Sequence, residues 1–163
     1  MERKFEFKVQ DKETLDRVLM GTSKIRNIVE LSPTYWENSV LCLGQLKTLF
    51  GEPLYITEDM EDQYAYCILA ESKDGKEVYL HVYRGPSGPA IGGKHDSDSS
   101  AAADELVELI TSARASDYEY AGVYWDGPSI VRAGVRNGVP YSEEEELTQE
   151  KYEKMKKEGT IKD

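Results

Sequence analysis

The chain has 163 residues, of which 39% are hydrophobic and 31% charged, and its 31 Asp and Glu outnumber 20 Lys and Arg to leave a formal charge of -11. That length predicts one domain over residues 1–163, with a core large enough to need no disulfide or structural metal. The charge excludes nucleic-acid binding by bulk electrostatics, which depends on Lys and Arg displacing phosphate counterions.

Met1 to Lys8 alternates apolar with charged residues and leaves no continuous apolar run for a signal peptide. Nowhere do about eighteen apolar residues follow one another as a membrane helix requires, so a cytoplasmic protein without a membrane segment is expected. Phe5, Phe7 and Val9 alternating with Glu6 and Lys8 predict a strand with one buried face. Asp11 is placed to cap a short helix carrying Leu15, Val18 and Leu19, with Gly21 at its C-terminal end. Trp36, Val40, Leu43, Leu46, Leu49 and Phe50 keep helical spacing until Gly51 and Pro53, which predicts the main core helix over residues 34–50.

Asp74-Gly75 between two alternating runs signals a hairpin from Tyr64 to Tyr83. A two-residue turn there pairs Leu69 with Leu80, Cys67 with Val82, Ile68 with His81 and Tyr66 with Tyr83. The core face is then Ala65, Cys67, Leu69, Val78, Leu80 and Val82, and the other face carries tyrosines and a histidine. Residues 85–93 read as a Gly/Pro-rich loop and 94–100 as a polar stretch. A helix over 101–113 follows, with Leu106, Leu109 and Ile110 inward and Asp98, Ser99 or Ser100 as cap. Residues 118–125 and 129–136 predict two strands, the second closed by Asn137-Gly138. Ser142 with Glu145 has the form of a capping box. Glu143 to Glu146 at its start and Lys154, Lys156 and Lys157 near its end suit the dipole of a last, largely solvated helix. The pattern is α+β: a mainly antiparallel sheet of about four to six strands with two or three helices on one face and a solvated C-terminal helix.

Gly88 to Lys94 matches G-x-x-x-x-G-K, but His95 replaces the metal-holding Ser or Thr and Pro89 removes a backbone donor. Nucleotide binding by this segment is the alternative to a plain connection. His95, Asp96 and Asp98 have the spacing of a calcium loop without its turn glycine or its bidentate glutamate, since Ala101 and Val107 stand there. Cys42 and Cys67 sit among apolar neighbours, away from any ligand spacing, and read as small buried hydrophobes. No Ser-His-Asp or Cys-His pattern appears, so no catalytic residue, cofactor or metal is expected, and the reading favours a protein that is not an enzyme.

Two features suit a protein partner. Tyr66, His81 and Tyr83 share the non-core face of the expected hairpin, and Tyr118, Tyr120 and Tyr124 alternate along a later strand. In one sheet they form a phenol-rich patch, of large contact area at low entropic cost; the alternative is a helix roofing that face. Glu58, Asp59, Glu61 and Asp62 add an acidic cluster that reads either as solvated surface or as a field steering a cationic partner. In size, acidity and α+β pattern over the whole chain, the sequence resembles bacterial toxin-immunity proteins. That resemblance implies a small module neutralising a cationic toxin, and it carries over no site residue. The other classes are a small-molecule or nucleotide-binding protein using residues 85–94, and a structural or phage-type assembly protein.

Overall fold

A computed structural model describes residues 3–28, 35–56, 64–85, 88–124, 129–146 and 148–158. Along these residues run β1 (Phe5–Gln10), α1 (Lys12–Leu19), β2 (Ser23–Asn27), α2 (Tyr35–Phe50), β3 (Tyr55–Ile56), β4 (Tyr64–Ser72) and β5 (Glu77–Gly85). There follow β6 (Gly88–Gly93), α3 (Ser97–Ser112), β7 (Tyr118–Tyr124), β8 (Ser129–Arg136), β9 (Val139–Glu146) and α4 (Gln149–Lys157). The fold is α+β, as expected, but its strands form two antiparallel sheets. The first has the order β1-β4-β5-β6-β2 with β3 added to β4, and the second the order β7-β8-β9.

The largest core lies between the first sheet and helices α2 and α3. Tyr64, Tyr66, Ile68, Leu80, Val82 and Ile91 meet Cys42, Leu43 and Leu46 of α2 and Ala102, Ala103, Leu106 and Ile110 of α3. On the opposite side of α2, Val40 packs with Ala115 and Val135 of the second sheet region. Helix α2 is thus apolar on two sides because it separates two sheets. Gly44 is the point of closest approach: a Cβ there would lie 2.9 Å from Ala115 Cβ and 2.9 Å from Ser116 O. The Ser116 N–H donates to Gly44 O at 2.9 Å. Helix α1 takes the other face of the first sheet, where Leu15 is buried against Ala65 and Cys67. Two helices, α2 and α3, thus share one face as expected, and α1 is added on the other.

The hairpin forms, with a register one residue from the expected one. Ser72 N–H donates to Lys76 O at 2.8 Å and Gly75 N–H to Ser72 O at 3.0 Å, which leaves Lys73, Asp74 and Gly75 as a three-residue loop. A two-residue type I′ turn requires positive φ at both central residues. Here Gly75 has φ +87° while Asp74 is not among the residues with positive φ, and the Ser72 hydroxyl holds the Asp74 carboxylate. Tyr66 therefore faces Val82, Cys67 faces His81 and Ile68 faces Leu80. On β5 the expected faces stand; on β4 they exchange, so Tyr64, Tyr66 and Ile68 enter the main core and Ala65, Cys67 and Leu69 face α1.

Two further readings are corrected. Residues 88–93 form a strand inside the first sheet, paired with both β5 and β2 and buried throughout. Its backbone is committed to two ladders, so the G-x-x-x-x-G-K match is no phosphate-cradling loop. Small residues are needed there, because a Cβ on Gly93 would lie 3.2 Å from both Ile25 and Leu80. Ser142 to Glu146 belong to β9, with Arg132 to Glu145 at 3.2 Å and Arg136 to Glu143 at 3.0 Å as cross-strand ion pairs. Helix α4 begins later, capped by Thr148, and only Met155 is buried, against Ile130. Asp96, two positions before the first of the expected candidates, is the cap of α3.

Adding a methyl at Gly44 forces helix and sheet apart, so Gly44→Ala is expected to destabilise by about 1–3 kcal/mol. Leu80→Ala should cost about 2–5 kcal/mol through the cavity it leaves. Urea denaturation checks both as a lowered midpoint at unchanged slope.

Candidate functional site

The residues read as one tyrosine face occupy three environments. Tyr66 is fully buried, with its ring 6.2 Å from Phe50 and its hydroxyl donating to Gly51 O at 2.8 Å. Its assignment to a partner-binding surface is corrected: the shifted register turns it inward. Tyr118 lies in β7, which belongs to the second sheet. Its hydroxyl donates to Val40 O at 2.8 Å and Lys47 Nζ sits 4.7 Å over its ring, so it ties that sheet to α2. Tyr120 and Tyr124 follow on β7 opposite Ala133 and Ser129, and their side chains lie outside the described residues, as do Glu58, Asp59, Glu61 and Asp62. The hairpin tyrosines and β7 belong to separate sheets.

His81 and Tyr83 remain together, on the face of the first sheet away from α2. Their rings stack at 4.5 Å, both residues are half-buried, and His81 Nε2 is closed to solvent without a hydrogen-bond partner. Burial lowers the His81 pKa from 6.5 to about 4. Cys42 and Cys67 are free and buried, as expected, and burial raises their thiols to about 12 and about 11. His95 bonds the Ser23 hydroxyl, Asp96 accepts from Ser99 N–H at 2.8 Å, and Asp98 pairs with Lys76 at 3.7 Å. The three residues thus serve separate local roles, and among the described residues no three His, Cys, Asp or Glu gather as a metal site. Among the described residues, too, no helix is long and apolar enough to cross a membrane.

The exposed acidic surface is found where the sequence suggested a helix start. β9 is the edge of the second sheet, with no strand on its outer side among the described residues. Strand alternation divides its glutamates. Glu143 and Glu145 share a face with Arg136 and Arg132, which they pair, and Glu145 also meets Lys151. Glu144 and Glu146 point the other way, exposed and, among the described residues, without an ion pair. The Asn137-Gly138 turn could have located this strand, because a two-residue turn there sets Arg132 opposite Glu143. Comparison of the chain with protein-family models, with curated proteins and with solved structures finds no match.

His81 supplies a test of this environment. The unfolded chain takes up a proton near pH 6.5 and the folded one only near 4. The stability tied to neutral His81 is present above the first value and lost as pH falls toward the second. Between those values the native chain should lose stability more steeply than His81→Phe, measured by denaturation at each pH.

Proposed function

We propose that this chain is a protein-binding module, an immunity-type inhibitor that covers a cationic surface of a partner toxin, with β9 in the contact. The observation that carries the reading is the pair Glu144 and Glu146, exposed on an unpaired strand edge in a chain of net charge -11 while their neighbours are neutralised. An edge of this kind offers backbone groups to an extended segment, and its two free carboxylates complement Lys or Arg two positions apart. The wider acidic field, including Glu58, Asp59, Glu61 and Asp62, accelerates encounter with a basic partner.

The test is co-expression with the basic proteins encoded by the genes flanking its own, followed by association kinetics on any complex that copurifies. The on-rate should fall about tenfold or more between low and physiological salt, where charges are screened beyond about 8 to 10 Å. Glu144→Lys with Glu146→Lys should lower the on-rate and shift stability by less than about 0.5 kcal/mol, since both are exposed and neither makes an ion pair among the described residues. An association rate indifferent to salt and to both substitutions removes the reading.

A further inference from the structure

An open cavity of about 450 Å³ lies where the chain entering β1, the tip of the β4–β5 hairpin and the first turns of α3 come together. Glu105 of α3 fixes that junction. Its carboxylate accepts from Lys4 N–H at 2.9 Å and from Phe5 N–H at 3.1 Å, which ties the start of β1 to the helix. The hairpin tip is held by the Ser72 hydroxyl, which donates to the Asp74 carboxylate and accepts from Lys76 N–H at 3.0 Å. The walls of the cavity are therefore built from backbone that is already fixed, as in most small-molecule sites.

The charge around it runs against that of the chain. Arg3, Lys4, Lys73 and Lys76 border the cavity, four of the twenty Lys and Arg in a chain of net charge -11. Two carboxylates border it as well, and both are engaged, Asp74 by the Ser72 hydroxyl and Asp98 by Lys76 at 3.7 Å. Arg3 and Lys4, by contrast, make no ion pair among the described residues, because Glu105 is spent on the backbone N–H groups beside them. Phe5, whose ring belongs to the main core, and the Ala101 methyl supply apolar wall. A cavity of this size with apolar wall and a few converging charges suits a small organic molecule better than a bare ion. Guanidinium and ammonium heads at its rim select a molecule that carries an oxyanion, since hydrogen bonds between ionised partners are the strong ones.

We propose that this cavity binds a small organic anion, an apolar ring or chain bearing a carboxylate or a phosphate, with Arg3 and Lys4 on the oxyanion and Phe5 and Ala101 against the apolar body. The site lies on the first sheet, apart from the acidic edge of β9, and stands without it. Naphthoate, naphthyl phosphate and naphthylmethylammonium test it, because they share one apolar body and differ in charge. Titrated into the full chain and followed by amide NMR shifts, the anions should saturate with changes centred on Phe5, Ser72 and Ala101, and the ammonium should bind about tenfold or more weakly. Arg3→Gln with Lys4→Gln should weaken the anions about tenfold or more. Ala101→Phe, which fills the cavity at unchanged charge, should abolish the saturable shifts at Phe5 and Ser72. All three substituted positions are exposed, so each variant should keep the native melting temperature. Tighter binding of naphthyl phosphate assigns a phosphoryl ligand, and tighter binding of naphthoate a carboxylate. Equal affinity for the ammonium, or an affinity for the anions that is unchanged in either variant, overturns the proposal. Shifts centred elsewhere, or no saturation by either anion below about 1 mM, overturn it as well.

Discussion

The close approach of α2 to the second sheet at Gly44 is the constraint on which the remaining architecture rests. α2 presents two stripes. Val40, Gly44 and Thr48 recur every four residues toward the second sheet, where Thr48 Oγ1 meets Ser116 Oγ at 2.6 Å, while Cys42, Leu43 and Leu46 face the first. A helix with a side chain at position 44 could not seat both stripes, since helix axis and sheet must sit at distances their contact side chains allow. With glycine there, the helix carbonyl itself bonds the chain entering β7. The same contact fixes where Tyr118 arrives, and hence why the β7 tyrosines belong to a different layer from the hairpin.

The helices and the cap of α1 were legible because local physics decides them, whereas the caps of α3 and α4 lie at Asp96 and Thr148, outside the expected candidates. Asp11 caps α1 through Thr14 N–H at 2.8 Å, and the apolar spacing of α2 ends at Phe50 as Gly51 demands. The hairpin strands were legible, but their register was decided by which residue of Asp74-Gly75 takes positive φ, a choice of about one backbone well. Asn137-Gly138 does form the two-residue turn, with φ of 55° and 77°. Asn enters the left-handed region more readily than Asp does here, where the Ser72 hydroxyl holds the Asp74 carboxylate in the alternative loop. One residue of slip then exchanged every side chain of β4 between layers.

The functional residues were less legible, because composition reports chemistry without topology. A count of tyrosines says that phenols are present; only the strand order shows Tyr66 roofed by α2, Tyr118 anchoring the second sheet and Tyr83 stacked on His81. Gly88 to Gly93 reads as a connection because glycine and proline weaken a strand on propensity. In the fold it is a central strand, because the Tyr83 ring and the Ile25 and Leu80 side chains leave no room for larger residues above it.

The acidic edge joins two requirements in the same residues. An unpaired strand edge invites pairing with any extended chain, and charge is one of the means by which proteins prevent it. Four consecutive glutamates on β9 serve that end, but the two that pair with Arg132 and Arg136 also stabilise the sheet, so only the alternate pair repels an incoming strand. Repulsion by carboxylates is selective: it falls on acidic segments and reverses for a basic one. Pairing of like with like is therefore suppressed in a chain of charge -11, where any second copy brings the same field. The guard against self-association is thus also the condition for accepting a cationic partner, and a substitution that neutralised Glu144 and Glu146 would relax both at once.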